Sequence, residues 1–377
     1  MPHAPSRALI DLDAYAHNLR AVAAYAPGAA ICAVVKADAY GHGALAMARA
    51  AVAQGARMLG VATVAEGIAL RQGGIEAPIL VLFQPGIEGL APIVEHRLTL
   101  VLADVQTAEA MGDIAQRANR VVPVHCIVDT GMGRQGFNFA TAVDDIQYIT
   151  RISHIDIEGI ATHFPVADRV DDAFTLEQIK EFKQVLKSLE RAGIPFELAH
   201  AANSSGIVNY PASHFDMVRP GLMGYGVWPS TAPMPPGKLK PVLRWETRVT
   251  QVRDLEPGSN VGYGRTYTTP SRMVAAILPV GYADGYRHAL ANKAEVLIRG
   301  QRCPVRGSVC MDQIVVDVTL VPGVHTGDTA VLIGADGNDC ITADELAQHA
   351  GTIPYEILTG IGNRVPRVYI GGTAPGK

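Results

Sequence analysis

A lysine that closes an apolar run is the first candidate for chemistry in this chain. Lys36 follows the apolar residues 30–35 and precedes the glycine-containing segment ADAYGHG at 37–43. Burial of one side of such a lysine lowers the pKa of its amine, and a neutral amine can form a Schiff base. The alternative is a lysine whose stem lies on apolar surface while its ammonium stays in water. Strand position alone favours that alternative.

Apolar runs of the same kind recur along the first 220 residues and alternate with alanine-rich segments of helical period. The eight runs cover residues 31–36, 58–62, 78–83, 98–102, 122–129, 155–163, 196–203 and 215–219. This alternation predicts parallel strands joined by crossover helices, and eight units predict an α/β fold with a (β/α)8 TIM barrel. The functional side chains of such barrels lie at the carboxyl ends of the strands.

A different pattern follows residue 226. The segment WPSTAPMPPG at 228–237 is too rich in proline for a regular element and predicts a linker. Short alternating runs at 246–252, 273–280, 295–299, 313–318 and 329–333, with one helical segment at 343–350, then predict a mostly β domain. We therefore expect a barrel domain at 1–237 and a β-rich C-terminal domain at 238–377.

Composition narrows the class of partner. The 377 residues carry a formal net charge of −4, which gives no field that would attract nucleic acid or an anionic membrane. We therefore expect a small-molecule ligand, no nucleic acid and no membrane. The start of the chain has no leader-like apolar region, so we expect a cytoplasmic protein. Five scattered cysteines without CxxC spacing or a His/Cys metal pattern predict reduced thiols and no metal site.

Polar residues follow five of the predicted strands. Candidate residues lie at or shortly after the ends of these runs. They are Lys36 and Tyr40 for run one, Arg134 for run five, His163 for run six, His200, Asn203 and Ser204 for run seven, and Arg219 and Gly221 for run eight. The segment NSSG at 203–206 has the pattern of a helix N-terminus, which suits a phosphate, although an ordinary helix cap is the commoner interpretation. A phosphate site together with a Schiff-base lysine suggests pyridoxal phosphate.

Several segments, in order along nearly the whole chain, carry a resemblance to a known family. They are 33–43, 129–136, 162–164, 202–204, 219–221, 261–264, 281–286, 310–313 and 364–367. With these segments the chain resembles the alanine racemases of the barrel-type (fold type III) pyridoxal-phosphate family. The resemblance implies an isomerase that uses pyridoxal 5′-phosphate and works as a homodimer with shared active sites.

The resemblance also implies catalytic roles. Lys36 would hold the cofactor as an internal aldimine and act as one base, and Tyr263 of the partner subunit would be the other. Racemisation removes a proton from one face of Cα and returns it to the other, so two opposed groups are needed. A phenol is a weak base at neutral pH, and the family pattern supports it through His163, which links the tyrosine to Arg219. Arg219 would face the pyridine nitrogen and keep it unprotonated, which favours racemisation over transamination.

The remaining matches are binding and supporting residues. At the cofactor, the resemblance implies Tyr40, Ser204, the Gly221 backbone and Tyr355 around the phosphate, with His163, Asn203 and Arg219 nearby. The substrate carboxylate would bind Arg134 and the backbone N–H of Met311. His200, Tyr282 and Asp312 match supporting positions.

Three positions depart from the family pattern. Ile127 stands where many members carry a carbamylated lysine that helps to fix the arginine matched by Arg134. Arg134 would then be held by an anion such as chloride, by Asp129, or more loosely. His288 and Ser308 stand where arginines are common near the entryway, whereas Tyr282, Ile353 and Tyr355 keep the usual types.

The leading prediction is a racemase that interconverts L- and D-alanine and supplies D-alanine for peptidoglycan. A serine racemase or a broad-specificity racemase of the same family is the nearest alternative. A decarboxylase on the same scaffold is disfavoured because Arg219 replaces the carboxylate such enzymes place at the pyridine nitrogen. A non-catalytic pyridoxal-phosphate carrier is a further alternative, although those relatives typically lack a second domain.

Overall fold

The computed structural model describes residues 5–235 and 237–372, which form two compact units. The barrel unit comprises Tyr15–Ala39 and Ala44–Lys240. The second, here called the β unit, comprises Tyr40–Gly43 and the described residues before Tyr15 and after Lys240. The domain boundary between residues 237 and 238 stays a prediction.

The elements of the barrel region are numbered along the whole chain. Its strands are β2 Ala30–Val34, β3 Met58–Val61, β4 Ile79–Val81, β5 Thr99–Leu102, β6 Val122–Asp129, β7 Phe137–Asn138, β8 Ile155–Ala161, β9 Leu198–His200 and β10 Met217–Val218. Its helices are α1 Leu12–Tyr25, α2 Lys36–Gly41, α3 Ala44–Ala53, α4 Val64–Gln72, α5 Leu90–Glu95, α6 Val105–Arg117, α7 Ala142–Ile149, α8 Ala173–Arg191 and α9 Ser204–Asn209.

Eight parallel strands of the described chain form a nearly closed barrel in the order β10-β2-β3-β4-β5-β6-β8-β9. Each of the eight predicted runs overlaps one of these strands, and seven of the runs contain the whole strand. One buried side chain from each strand packs in the barrel interior: Cys32, Met58, Leu80, Val101, Ile127, Ala161, Leu198 and Met217. The predicted barrel is confirmed, and its interior is a packed core of the kind expected for this fold.

Capping residues set the starts of several helices around the barrel. Thr63 and Glu66 form a capping box at α4, and the carboxylates of Asp104 and Asp172 accept backbone N–H bonds at α6 and α8. Caps of this kind contribute roughly 0.5–2 kcal/mol each. They fix the chain direction directly after β3, β5 and the segment that follows β8.

The β unit contains the remaining elements. Its strands are β1 Ser6–Asp11, β11 Leu243–Arg248, β12 Gln251–Leu255, β13 Asn260–Val261, β14 Tyr267–Thr268, β15 Met273–Leu278, β16 Glu295–Ile298, β17 Gln301–Arg306, β18 Ile314–Asp317, β19 Thr329–Asp336, β20 Asp339–Ile341 and β21 Arg367–Ile370. Its helices are α10 Ala343–Ala350 and α11 Pro354–Thr359.

A mostly antiparallel sheet organises the β unit, with strand order β12-β15-β18-β17-β16-β19-β11-β1-β21. The predicted β-rich C-terminal domain is confirmed, and α10 covers the predicted helical segment. The predicted run 246–252 is two strands, because the chain turns between β11 and β12. Strand β17 was not predicted, since Pro304 and two arginines interrupt its apolar pattern. The N-terminal strand β1 pairs with β11 and β21 in this sheet.

Membrane-spanning helices are not found in the described chain. Within residues 5–235 and 237–372, no helix combines the length and the apolar character that crossing a bilayer requires.

Candidate active site

Lys36 begins α2, directly after the first barrel strand. The segment that follows it begins with one helical turn in which Ala37, Asp38, Ala39 and Tyr40 have φ between 52° and 54°. This left-handed backbone costs roughly 1–2 kcal/mol for each non-glycine residue. Hydrogen bonds hold it: Glu66 Oε1 accepts from the Ala37 N–H at 2.7 Å, and Asp38 Oδ1 accepts from the Ala44 N–H at 2.7 Å. Strain held in this way is typical of functional positions.

The amine of Lys36 lies against an aromatic ring together with a second cation. Its Nζ is 5.0 Å from the centroid of the Phe83 ring, and the guanidinium carbon of Arg134 is 4.9 Å from the same centroid. Burial lowers the pKa of Lys36, and the charge of Arg134 lowers it further, although Glu66 acts in the opposite direction. Lys36 therefore meets the requirement for a nucleophilic amine, a larger neutral fraction near pH 7.

Arg219, after β10, is the buried cation of the site. Its NH1 donates to His200 Nδ1, and its NH2 donates to Thr162 O at 2.7 Å, to Ala201 O at 2.9 Å and to His163 Nδ1 at 3.2 Å. Burial lowers the pKa of Arg219 to about 10, so the group stays charged at neutral pH. Among the described residues none accepts a hydrogen bond from its Nε–H, which leaves that donor for a ligand atom.

His163, after β8, is held as a neutral imidazole. Burial and the charges of Arg219, Arg134 and Lys36 lower the pKa of His163 to about 3. Because arginine only donates, His163 Nδ1 must accept from Arg219, and the ring proton lies on Nε2. The structure therefore brings together His163 and Arg219, as the sequence predicted, and leaves one imidazole N–H to donate.

Asn203 and Ser204 connect the ends of β9 and β10. Asn203 caps α9 through the Gly206 N–H at 3.0 Å and donates to Phe164 O at 3.2 Å, which is a supporting role. Ser204 Oγ accepts from the N–H groups of Gly221 at 2.8 Å and Met223 at 3.2 Å. The Gly221 N–H, predicted as a phosphate ligand, is thus bonded to Ser204 here. The hydroxyl hydrogen of Ser204 has no acceptor among the described residues.

The loop after β6 is organised by its own carboxylate. Asp129 Oδ1 accepts from the N–H groups of Gly131, Met132 and Gly133 at 2.9, 2.8 and 3.2 Å. Asp129 is therefore committed to the loop backbone rather than to Arg134. Ile127 is buried in the barrel interior. The contact that the structure gives Arg134 is the face of Phe83.

In the β unit, the rings of Tyr40 and Tyr355 lie together with centroids 5.8 Å apart. Tyr263 is different, because its side chain is 78% exposed. Its position is set through the backbone: Ser308 Oγ donates to Tyr263 O at 2.8 Å, and the flanking Gly262 has a φ of 69° that favours glycine. The ring of Tyr263 is therefore exposed to solvent, while its backbone is held in place.

Two loops of the β unit present Tyr282 and Met311, which are 46% and 52% exposed. The Tyr282 N–H donates to Cys310 O and the Ala283 N–H to Met311 O, both at 3.0 Å. Asp312 forms an ion pair of 2.8 Å with Arg364. The ring of His288 lies 6.4 Å from that of Tyr282, and the side chain of Ile353 is also exposed. The loops 281–283 and 310–312 are therefore adjacent.

Sequence reasoning missed three residues near these groups. Phe83 contacts Lys36 and Arg134, and His125 Nδ1 lies 2.7 Å from His200 Nε2. Glu158 Oε2 lies 3.2 Å from His125 Nε2. A signal was available for the last two, since His125 and Glu158 are polar residues in the middle of the predicted strand runs 122–129 and 155–163.

Comparison with known proteins assigns the family. A family model described as "Alanine racemase, N-terminal domain" matches residues 10–229, and one described as "Alanine racemase, C-terminal domain" matches residues 242–369. The chain belongs to the alanine racemase family. The family and the isomerase class inferred from the sequence are confirmed.

Individual alanine racemases are similar to this chain over nearly its full length. The chain is 45% identical to the alanine racemase of Symbiobacterium thermophilum, over 98% of each chain, and 42% identical to that of Desulfovibrio desulfuricans, over 97% and 98%. The solved alanine racemase of Clostridium difficile 630 superposes with a TM-score of 0.92 at 35% identity, covering 97% and 96% of the two chains. That of Bartonella henselae, solved with covalently bound pyridoxal phosphate, superposes with a TM-score of 0.87 at 31% identity, covering 98% and 100%.

Proposed function

We propose that this protein interconverts L- and D-alanine with pyridoxal phosphate as cofactor. The observation that carries the proposal is the pairing of two groups at the strand ends of the barrel. Lys36 is an amine whose pKa is lowered, and Arg219 is a buried guanidinium whose Nε–H has no acceptor among the described residues. A Schiff-base lysine and a donor for a ring nitrogen are what this cofactor needs from a racemase.

The residues present fit the cofactor. The hydroxyl hydrogen of Ser204 is available to a phosphate oxygen, and Tyr40 and Tyr355 stay predicted phosphate ligands. Lys36 is the predicted point of covalent attachment. When bound, the cofactor draws electron density from Cα of an amino acid and so acidifies its C–H bond. The residues of the chain then have to bind the substrate carboxylate and move one proton.

We assign the proton transfers to Lys36 and Tyr263. The Nζ of Lys36 takes or returns the Cα proton on one face, and the phenol oxygen of Tyr263 does so on the other. Tyr263 is exposed in the single chain, which supports its use in the active site of a second copy. A homodimer with shared active sites is therefore part of the proposal. Neutral His163, with its Nε2–H, is the predicted hydrogen-bonding support of the tyrosine.

Substrate recognition is assigned to Arg134 and to the backbone N–H of Met311. A guanidinium binds a carboxylate through two parallel hydrogen bonds, which orients the amino acid as well as attracting it. The Phe83 ring supports Arg134 where other family members use a charged group. We include in the proposal a cytoplasmic location and a role in supplying D-alanine for peptidoglycan.

The test is chiral chromatography of the purified protein with added pyridoxal phosphate, fed separately with L-alanine, D-alanine and L-serine. We expect both alanine enantiomers to reach the same equimolar mixture, and L-serine to react with a lower kcat/KM. Faster turnover of L-serine than of L-alanine would replace alanine by serine as the substrate. Cofactor binding without turnover of any of the three would contradict racemisation and favour a carrier.

A further inference from the structure

A break in the strand register lies beside a carboxylate that contacts the buried imidazole of His125. Strands β6 and β8 pair as Val124 with Ile157 and then as His125 with Gly159, so Glu158 is the extra residue of a β-bulge. Bulges re-aim side chains and are common beside active sites. The side chain of Glu158 is 19% exposed and its Oε2 lies 3.2 Å from His125 Nε2.

Gly159 makes room for the imidazole of His125. A Cβ added at Gly159 would lie 2.7 Å from His125 Nδ1 and 2.8 Å from its Cγ. The ring of His125 is fully buried and continues to His200, with Nδ1 to Nε2 at 2.7 Å and ring centroids 4.9 Å apart. His200 Nδ1 in turn meets Arg219 NH1. The four side chains Arg219, His200, His125 and Glu158, here called the barrel relay, thus form one continuous chain.

Hydrogen-bonding rules fix the direction of every bond in the barrel relay. Arginine only donates, so His200 Nδ1 accepts and the proton of this neutral ring lies on Nε2. That N–H donates to His125 Nδ1, so the proton of His125 lies on its Nε2 and donates to Glu158. A second proton on either ring would place two N–H groups face to face. The hydrogen bond from His125 also lowers the pKa of Glu158, so the relay ends in a carboxylate.

We infer that His125 and Glu158 are positioning residues that hold His200 as an acceptor for Arg219, and through it fix the direction of the Arg219 Nε–H. The inference rests on the proposed role of Arg219 at the cofactor's pyridine nitrogen. Without the carboxylate, only the Arg219 end favours this arrangement of protons, and the arrangement leaves the His125 Nε2–H as a buried donor without an acceptor. Moving the protons of both rings to Nδ1 would remove that unpaired donor. His200 then has an alternative tautomer whose Nδ1–H would face the Arg219 N–H and displace it.

The first measurement uses the full-length apoprotein with ¹⁵N-labelled histidine, so it does not depend on the proposed reaction. NMR at pH 7.5 should show His125 and His200 each with a slowly exchanging proton on Nε2 and a bare Nδ1. The spectra of His125→Gln and His200→Gln assign the signals. In Glu158→Leu both protected N–H signals should be lost, and in Glu158→Gln, whose amide oxygen still accepts, they should remain. A doubly protonated ring or an Nδ1–H tautomer in the unaltered protein would overturn the relay.

The second measurement is racemase kinetics of the holoenzyme. Leaving a buried donor without its acceptor should lower kcat of Glu158→Leu by roughly 5- to 150-fold, with little change in KM for alanine. Glu158→Gln should stay close to the unaltered enzyme. The matched control is Glu197→Leu: the Glu197 N–H bonds Glu158 O and its exposed side chain pairs with Arg57, but it lies outside the relay.

The two proposals fail separately in these experiments. If the unaltered holoenzyme racemises alanine and Glu158→Leu keeps its kcat, the positioning role is wrong and the proposed function stands. If the unaltered holoenzyme racemises nothing, the proposed function is wrong, and the role inferred for the relay falls with it even where the apoprotein spectra show the chain of hydrogen bonds. An equal loss of kcat in Glu197→Leu would assign the effect to the charge of that end of the barrel and would overturn the inference.

Discussion

The candidate groups of the barrel unit and those of the β unit are positioned in opposite ways. Arg219 is 7% exposed and its guanidinium is held by four protein acceptors, whereas Tyr263 is 78% exposed and is held through its backbone. A buried charge is stable only when its hydrogen bonds are satisfied, so its surroundings are built into the same fold. An exposed phenol obtains such surroundings only from a binding partner or ligand. The comparison therefore separates groups whose properties belong to one chain from Tyr263, whose proposed role needs a second chain.

The largest effect is expected at the buried amine. Lys36→Ala should lower racemisation by more than about 10⁴-fold, because both covalent attachment and one base are lost. Mass spectrometry after borohydride reduction with pyridoxal phosphate should show no adduct. The control is Lys238→Ala, which removes another lysine that lies over an aromatic ring, 5.2 Å from the centroid of Tyr25, without affecting activity. An adduct in Lys36→Ala would place the attachment at another lysine.

Removal of the exposed phenol hydroxyl of Tyr263 should lower activity without changing stability. Tyr263→Phe should lower kcat by about 10²- to 10⁴-fold, the usual contribution of a general base. The midpoint of thermal unfolding should stay nearly constant, because substitutions of exposed side chains rarely change stability by more than about 0.5 kcal/mol. Tyr267→Phe is the control, since that ring packs on Arg306 in the same unit. Full activity of Tyr263→Phe would contradict its role as a base.

The buried histidines of the barrel should make stability depend on pH. The pKa of His163 is lowered to about 3 and that of His200 is also lowered, in both cases chiefly by burial. The unfolded chain, with histidine pKa near 6.5, binds more protons below that pH. The contribution of His163 is therefore complete above pH 6.5 and is lost as pH falls towards 3, by about 1.4 kcal/mol per pH unit. His200 changes stability in the same direction.

Urea unfolding of the apoprotein between pH 7.5 and 5 measures this slope. His163→Gln should reduce the slope of the unfolding free energy against pH by about the contribution of one histidine, since a glutamine side chain binds no proton in this range. Equal slopes for the two proteins would show that His163 is not held neutral by the fold.

A smaller effect is expected at the Phe83 ring, which lies against Arg134. Phe83→Leu keeps an apolar side chain but removes the aromatic face under Arg134, so the KM for alanine should rise by about 2- to 30-fold, more than kcat changes. Phe83→Tyr keeps the face and should retain the KM. An unchanged KM in Phe83→Leu would mean that Arg134 is held by another group, such as an anion.

The smallest effect concerns the left-handed turn after Lys36. Ala37 is exposed and has a φ of 52°, so Ala37→Gly should stabilise the protein by up to about 1 kcal/mol. The same substitution at Ala23, which is exposed in the right-handed helix α1, should change stability in the opposite direction: Ala23→Gly should destabilise the protein by about 1 kcal/mol. Denaturant unfolding of both variants measures the pair. Destabilisation by both would show that the turn is not strained at Ala37.

Much of the fold and part of the site could be predicted from the sequence. The apolar runs coincide with the eight barrel strands because parallel strands buried on both faces need continuous apolar segments. Lys36, His163 and Arg219 could then be placed at strand ends by the barrel rule alone. Strand β17 escaped prediction because Pro304 and two arginines interrupt its apolar pattern, β20 because it has only 3 residues, and β1 because its partners lie more than 200 residues away.

The sequence by itself determined the eight strands of the barrel, their order along the chain and which polar residues follow them, since these depend on local patterns of apolar and polar residues. Only the tertiary structure decided the left-handed turn at Ala37–Tyr40, the pairing of Phe83 with two cations, and the barrel relay. The relay depends on a register shift between β6 and β8, and register is a property of two paired strands rather than of either sequence segment.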